Sequence, residues 1–182
     1  MKGLQTNEMS LIFPDEIFGK LSDIKAEDLR RYGIEGIALD ADNTTVRDHT
    51  DIVLEGVNEW IEKMRSDGFS VILLSNGKQE RAGRIAGKLG INAVARAKKP
   101  LISGYIRACA KMKTAPRSTV MIGDQVFTDV IGAKRAGCKS FYVYPDAPEQ
   151  RNRYIYIAKR LLEKPILRAG HRKCRKKNSD EN

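Results

Sequence analysis

Cysteine and histidine are scarce in this sequence, and no hydrophobic run is long enough to cross a bilayer. The three cysteines are odd in number and lack the C-x-x-C spacing of zinc sites. We therefore expect neither a disulfide scaffold nor a structural zinc site, and a reducing cytosol is the expected compartment. The two histidines follow no metal-ligand pattern. The clearest apolar run, residues 71–74, has the length of one strand, whereas a membrane span needs roughly 20 residues. Residues 1–10 contain no apolar signal core, so no secretory peptide is expected.

Acidic residues are also scarce, but only in one part of the chain. The net charge of the 182 residues is +10. Residues 151–177 hold 11 of the 33 lysines and arginines and a single acid, Glu163, while the remainder balances 22 basic against 22 acidic residues. With 41% hydrophobic residues, this length predicts one neutral globular domain followed by a basic C-terminal segment.

Short apolar runs alternate with amphipathic stretches from residue 34 to residue 144, which predicts alternating strands and helices. Because crossover helices connect parallel strands, this order indicates an α/β, Rossmann-like fold with a central parallel sheet flanked by helices. Pro100 is expected at the first position of its helix. The predicted strands are 34–39, 69–74, 93–95, 119–122 and 140–144, and the predicted helices are 54–65, 78–89, 100–112 and 128–136.

Polar residues follow four of these strands, at the sheet edge where α/β proteins bind ligands. Each alone has an ordinary explanation as a turn former, helix cap or solvated lysine, so the prediction rests on all of them together. Residues 40–51 also superficially resemble a calcium loop. However, Thr45 stands where that loop needs Gly and Asp51 where it needs Glu, which argues against an EF-hand. The residues expected at this edge are Asp40, Asp42, Thr44, Ser75, Asn76, Lys99, Asp124 and Asp129.

This set of side chains favours phosphate chemistry. Several carboxylates cannot lie within a few ångströms of one another uncompensated, and a hard dication such as Mg²⁺ relieves the repulsion through oxygen ligands. Lys99, the Ser75 hydroxyl and backbone N–H groups of glycine-containing turns are donors suited to a phosphate. The cation and the lysine together would allow an aspartate to attack a dianionic ester.

The four segments, in this order, resemble the motifs of the haloacid dehalogenase (HAD) superfamily of aspartate-nucleophile phosphatases. They read Leu-Asp-Ala-Asp-Asn-Thr at 39–44, Leu-Ser-Asn at 74–76, Lys-Pro at 99–100 and Gly-Asp-Gln-Val-Phe-Thr-Asp at 123–129. An Asp two residues after the first one favours phosphatase over dehalogenase chemistry within that superfamily.

Further phrases resemble the YqeG-type subfamily, bacterial relatives of phosphatidylglycerophosphate phosphatases. They are Phe-Pro-Asp-Glu at 13–16, Ala-Lys-Lys-Pro at 97–100, Gly-Asp-Gln-x-x-Thr-Asp at 123–129 and a basic helix near the C-terminus. One departure is Thr45, where the pattern usually has an aliphatic residue. A hydroxyl at this position is expected to loosen the packing behind the loop.

The resemblance implies a role for each matching residue. Asp40 would attack phosphorus to form an aspartyl-phosphate, and Asp42 would protonate the leaving oxygen and then activate water. The other implied roles are in binding. Mg²⁺ would be held by Asp40, the backbone carbonyl of Asp42, Asp124 and, directly or through water, Asp129. The phosphoryl group would be bound by Thr44, Ser75, Asn76 and Lys99.

The spacing of the motifs leaves no room for a large cap domain, since only 23 residues separate Ser75 from Lys99. An open site would admit a lipid head group or a protein side chain. We expect a HAD-like core at 34–148, with a helical segment at 1–33 packed on it. An amphipathic helix at 149–167, which Pro165 should end or kink, and a basic, disordered tail at 168–182 would follow.

Three functions stay open at this point. The first is a Mg²⁺-dependent phosphomonoester hydrolase acting on phosphatidylglycerophosphate at a membrane surface. The second is a phosphatase of a soluble metabolite or phosphoprotein, and the third a weakly active HAD-fold protein that docks on RNA or a ribosomal particle. The basic segment either packs on the body with its charges in solvent or binds an anionic surface. On an anionic membrane, each lysine or arginine near the surface would contribute about 1 kcal/mol to the binding free energy. RNA binding would instead be strongly salt-dependent. We expect a cytoplasmic protein without a transmembrane segment, peripheral at the membrane if its substrate is a lipid.

Overall fold

The computed structural model describes residues 11–145 and 161–170. Six parallel strands form one sheet in the spatial order β1-β6-β5-β2-β3-β4. The strands are β1 Glu16–Phe18, β2 Gly36–Leu39, β3 Ser70–Leu74, β4 Asn92–Val94, β5 Thr119–Gly123 and β6 Lys139–Val143. The predicted α/β fold with a central parallel sheet is confirmed, and no separate domain is inserted between strands within residues 11–145.

Helices cover both faces of the sheet. They are α1 Ala26–Arg31, α2 Val57–Ser66, α3 Gln79–Lys88, α4 Ile102–Met112, α5 Ile131–Arg135 and α6, residues 161–170. A π-helical turn, Val126–Val130, leads directly into α5. On α2 the residues with the predicted spacing, Val57, Ile61 and Met64, are buried. The apolar stripe therefore fixes that helix against the sheet, as the sequence period indicated.

Alternate side chains of the central strand β2 enter two separate hydrophobic clusters. Ile37 and Leu39 pack with residues of α1, α2 and α3, whereas Ala38 packs with Tyr105 of α4 and Met121 of β5. Because both faces of the strand are covered, its sequence is continuously apolar rather than alternating.

The direction of the chain across the sheet reverses at β2. The chain runs outward from β2 to β3 and β4 and then returns to β5 on the other side of β2. Leu39 and Ile122 are register partners across β2 and β5, so the residues that follow them, Asp40 and Gly123, begin side by side. Parallel sheets bind ligands in the crevice at such a reversal.

Two local features differ from the sequence prediction. The segment before residue 34, expected to be helical, also contains β1, which joins the sheet beside β6. Three residues are too few to show a strand period. Pro100 is not the first residue of α4, which begins at Ile102 with Leu101 as its N-cap, and the Lys99–Pro100 peptide is cis.

The C-terminal helix α6 continues through Pro165 to residue 170, so Pro165 does not end it. Packing accounts for this, since Leu167 is buried against Val126, Val130 and Tyr142 and stabilises the helix beyond the proline. The rest of the predicted helix at 149–167 and of the predicted tail lies outside the described residues. Within the described residues no helix has both the length and the apolar composition of a membrane span.

Candidate active site

Four buried ionisable side chains that follow three different strands meet at the carboxyl edge of the sheet. Carboxylate oxygens of Asp40, Asp124 and Asp129 all lie within 4.8 Å of one another. The Nζ atom of Lys99 donates to Oδ1 of Asp40 at 2.6 Å and to Oδ1 of Asp129 at 2.7 Å. None of the four residues is more than 7% exposed.

The charges in this cluster are not balanced, because one ammonium group serves three carboxylates. Burial is the largest cause and the neighbouring charge of Asp129 the next largest of a rise in the pKa of Asp40 to about 7. Lys99 acts in the opposite direction. Burial alone would lower the pKa of Lys99, but Asp129 and Asp40 together raise it above its usual value. Lys99 is thus firmly charged, while Asp40 is only partly compensated because it shares Lys99 with Asp129.

Asn76 fixes the backbone of Lys99. The Lys99 N–H donates to Oδ1 of Asn76 at 2.7 Å, and Nδ2 of Asn76 donates to the Lys99 carbonyl at 3.2 Å. The neighbouring Ser75 is 3% exposed, and its Oγ accepts the N–H of Gly77 at 3.0 Å. A hydroxyl that accepts in this way can still donate its proton to a ligand.

The hydroxyl of Thr45 stabilises the loop that carries Asp40. Its Oγ1 lies 3.0 Å from the carbonyl oxygen of Asp40 and 3.1 Å from that of Ala41, and the Ala41 N–H donates to Oδ1 of Asp40 at 2.7 Å. The expectation that a hydroxyl here loosens the packing is therefore wrong. The Ala41 carbonyl also accepts the backbone N–H groups of Thr45 and Val46, so the hydroxyl adds to a loop that is already hydrogen-bonded.

Asp42 stands outside the carboxylate cluster, in a bidentate ion pair with Arg81. Nη2 of Arg81 lies 2.6 Å from Oδ1 and Nη1 lies 3.0 Å from Oδ2. The backbone N–H of His49 also donates to Oδ1, at 3.0 Å. Sequence reasoning missed Arg81. The sequence feature that could have indicated it is a basic residue near the start of the helix that follows Ser75 and Asn76.

A cavity of about 80 Å³ opens on this edge of the sheet. This volume exceeds what a single water molecule needs and has room for a phosphoryl group. Its lining residues are Asp40, Asp42, Ser75, Asn76, Gly77, Lys99, Gln125 and Thr128. Asp124 and Asp129 lie in the buried cluster with Asp40 rather than in the cavity wall, and Thr44 lines a separate hollow beside Lys20 and Tyr144.

A larger hollow of about 480 Å³ lies at the opposite end of β3 and contains none of the predicted site residues. Two of its three cations make contacts with the backbone, since Arg65 donates to the Gly90 carbonyl and Lys111 to the Ala93 carbonyl. The first contact lies just beyond the C-terminal end of α3 and the second reaches β4, so both support the fold.

The C-terminal helix α6 reaches the carboxyl edge through its one acid. Glu163 is 2% exposed, and its Oε1 accepts the N–H of Val126 at 2.9 Å. Val126 begins the turn that carries Asp129. In the sequence, Glu163 is notable only as the single acid of a basic segment, and no local pattern indicates its contact with Val126.

The cluster of Asp40, Asp124 and Asp129 fits a divalent cation. Its donors are carboxylate oxygens, which hard cations prefer. The excess of negative charge left by one lysine also matches the charge that a dication would bring. The carboxylate of Asp42 is engaged by Arg81, so only its backbone carbonyl is left for the metal role that the resemblance implies.

Comparisons with known proteins agree with this geometry. Residues 13–137 match the family model of haloacid dehalogenase-like hydrolases. The chain is 33% identical over 160 residues to the "Probable phosphatase YqeG" of Bacillus subtilis (strain 168), an alignment that covers 88% of this chain and 92% of that protein.

Solved structures of similar fold include an uncharacterised protein from Listeria monocytogenes serotype 4b. Its TM-score is 0.52 at 19% identity, with 64% of this chain and 84% of that chain covered. The cobalt-bound deoxy-D-mannose-octulosonate 8-phosphate phosphatase of Haemophilus influenzae has a TM-score of 0.50 at 19% identity, covering 77% of this chain and 91% of that chain. These two likenesses concern the fold alone.

The family predicted from the four motifs is therefore confirmed by the sequence match over most of the chain. This chain belongs to the haloacid dehalogenase-like hydrolase family, in the YqeG-type branch of its phosphatases.

Proposed function

We propose that this chain is a Mg²⁺-dependent phosphomonoester hydrolase whose nucleophile is Asp40. The observation that carries the proposal is the buried contact of Lys99 with Asp40, beside the carboxylates of Asp124 and Asp129. A nucleophilic carboxylate and a fixed cation then line one small cavity, and the divalent-cation site formed with Asp124 and Asp129 adjoins it. The "Probable phosphatase" relative supports the same activity.

In the first half of the reaction a carboxylate oxygen of Asp40 attacks phosphorus. The bond from phosphorus to the leaving oxygen breaks, its electron pair stays on that oxygen, and Asp42 delivers the proton that this oxygen takes up. The product is an aspartyl-phosphate on Asp40, and covalent catalysis of this kind divides one difficult step into two easier ones.

In the second half a water molecule attacks phosphorus and gives its proton to Asp42. The bond from phosphorus to Asp40 breaks, which releases inorganic phosphate and restores the carboxylate. Proton transfer by a positioned side chain typically contributes about 10²–10⁴ in rate. When Mg²⁺ is bound, it supplies charge stabilisation for the phosphoryl oxygens.

The other site residues bind or position in this proposal. Ser75 and Lys99 line the cavity and would donate to the phosphoryl oxygens. Asn76 would act mainly by holding the backbone of Lys99, with which it makes two hydrogen bonds. Asp124 and Asp129 would hold the cation together with Asp40.

For the substrate we propose phosphatidylglycerophosphate, a lipid phosphomonoester. The cavity is small and opens at the surface, so a large leaving group would extend out of it. Leu101 and Ile102 follow Lys99 closely and are 52% and 48% exposed. Leu161 and Leu162, just before Glu163 in α6, are also exposed. Apolar side chains near the phosphate site fit a lipid better than a small soluble metabolite.

The activity is tested with p-nitrophenyl phosphate. We expect Mg²⁺-dependent hydrolysis by the wild-type chain, loss of turnover with a chelator and its return with added Mg²⁺. Asp40→Asn should be inactive while remaining folded, and the wild-type chain quenched in acid should carry phosphate on the peptide that contains Asp40. Turnover by Asp40→Asn at the wild-type rate would refute the mechanism.

The substrate is tested by comparing phosphatidylglycerophosphate in mixed vesicles with a soluble sugar phosphate and a phosphopeptide. We expect kcat/KM for the lipid to exceed the others by at least about tenfold, a difference of about 1.4 kcal/mol. A higher value for a soluble substrate would favour the second function. Negligible hydrolysis together with salt-dependent RNA binding that survives Asp40→Asn would favour the third.

A further inference from the structure

Arg81 connects the proposed acid–base residue to the loop after it. Besides its bidentate pair with Asp42, its Nη2 donates to the carbonyl oxygen of Thr50 at 2.7 Å, and its Nε lies 3.4 Å from Oδ1 of Asp51. The side chains of Arg81 and Asp42 are only 21% and 26% exposed. A planar guanidinium that holds a carboxylate by two parallel hydrogen bonds fixes its orientation as well as its position.

These contacts leave the Asp42 carboxylate little freedom. Oδ1 accepts from Arg81 and from the His49 N–H, and Oδ2 accepts from Arg81. Two lone pairs on each oxygen give four acceptor positions, so a single one, on Oδ2, is left. Asp42 also lines the cavity with Asp40. Oδ2 is therefore the atom available to exchange a proton with the leaving oxygen or the attacking water.

We propose that Arg81 is the positioning residue of Asp42: it fixes the carboxylate so that Oδ2 serves the leaving-group oxygen. This inference rests on the proposed function, because it assigns a partner to the acid–base residue of that reaction. Arg81 itself transfers no proton and contacts no reacting atom in this role.

The alternative is that Arg81 only fastens the loop containing Thr50 and Asp51 to α3. Arg84 provides the matched control for that alternative. It lies one helical turn further along α3, and its Nε donates to Oδ2 of the same Asp51 at 2.7 Å. Its side chain is 60% exposed, and it makes no contact with Asp42 among the described residues.

The experiment compares Arg81→Ala, Arg81→Lys and Arg84→Ala on two aryl phosphates. p-Nitrophenolate is a good leaving group that needs little protonation, whereas the phenolate of phenyl phosphate needs more. We expect Arg81→Ala to lower kcat/KM for phenyl phosphate about 10–100-fold, which is part of the rate gain that acid catalysis contributes. The kcat/KM for p-nitrophenyl phosphate should fall much less. Arg81→Lys should recover part of the loss, and Arg84→Ala should hydrolyse both esters as wild type does.

A double-mutant cycle separates positioning from general support of the fold. In an Asp42→Asn background, Arg81→Ala should cause almost no further loss, because residues that act as a unit are not additive. Thermal unfolding of each variant checks that it is folded, and Arg81→Lys carries the same leaving-group comparison if Arg81→Ala does not fold.

Equal losses on both esters, or a full additional loss in the Asp42→Asn background, would overturn the role of Arg81 and leave the proposed function intact. Undiminished hydrolysis by Asp40→Asn would overturn the proposed function and this inference with it. Failure of the role of Arg81 would thus be seen in the Arg81 variants, and failure of the proposed function in Asp40→Asn.

Discussion

Lys99 donates to Asp40 at 2.6 Å, across a separation of 59 residues in the chain. The two residues follow strands β4 and β2, which are not neighbours in the sheet. A buried ammonium beside a buried carboxylate lowers the cost of ionising that carboxylate, although Asp129 competes for the same ammonium. The balance within this group governs the first two predictions.

Replacing Lys99 with methionine should remove the cation and leave three clustered acids without it. We expect turnover of p-nitrophenyl phosphate to fall at least about 100-fold, as for the loss of one preorganised donor. In chelator at pH 8, the free energy of unfolding should fall by about 3 kcal/mol, because buried charges lose their partner. At pH 5 the loss should be smaller, because Asp40 can take up a proton.

The control for this substitution is Lys98→Met, at the exposed neighbouring position. It should change the free energy of unfolding by no more than about 0.5 kcal/mol and leave the turnover near wild type. Urea titrations at the two pH values provide the measurement. An equal loss of stability at both would contradict the electrostatic explanation.

The stability of the metal-free protein should fall as the pH rises from about 4 to about 7. The pKa of Asp40 is raised from 3.8 to about 7 in the fold. Between these values the folded state therefore holds a proton that the unfolded state has released, and raising the pH destabilises the fold. The full effect is on the order of 4 kcal/mol. It should be present in chelator and much reduced in saturating Mg²⁺, which stabilises the ionised form.

Asp40→Asn is the control for the pH experiment, since it removes the titrating group. Its free energy of unfolding in chelator should vary much less over the same pH range. If wild type and Asp40→Asn lose stability in parallel, the effect does not come from Asp40.

Gly123→Ala should weaken the binding of the divalent cation. A Cβ atom at this position would overlap the carboxylate of Asp129, so that side chain must move from its place in the cluster. Displacing a ligand or its support typically weakens metal affinity about 10–100-fold, which calorimetric titration with Mg²⁺ would measure. Gly83→Ala is the control, because a Cβ there meets no atom within 4 Å. Unchanged affinity in Gly123→Ala would show that Asp129 is not needed near the metal.

Glu163→Ala should destabilise the protein and impair the site at a distance. Its carboxylate accepts the N–H of Val126, where the turn carrying Asp129 begins. Losing a buried hydrogen bond to a charged group costs about 1.5–3 kcal/mol, and the turnover should fall through displacement of Asp129. Glu163→Gln keeps an acceptor oxygen and should show smaller losses in both urea unfolding and turnover. A loss of stability with unchanged turnover would show that α6 supports the fold alone.

The sequence by itself determined the fold class and the order of the groups along the chain. Apolar runs such as 71–74 and the buried face of α2 follow from short-range periodicity, which burial on one or both sides imposes. Residues that follow parallel strands must meet at one sheet edge, so the proximity of Asp40, Ser75 and Asp124 could be predicted without coordinates.

Tertiary structure alone decided what each side chain contacts. The three-residue strand β1 is too short to carry a period and forms by pairing with β6. α6 continues past Pro165 because Leu167 has a buried place to pack. The pairing of Asp42 with Arg81, and of Glu163 with Val126, joins residues separated by 39 and 37 positions. No local pattern contains such contacts, because they depend on which loops and helices the assembled sheet brings together.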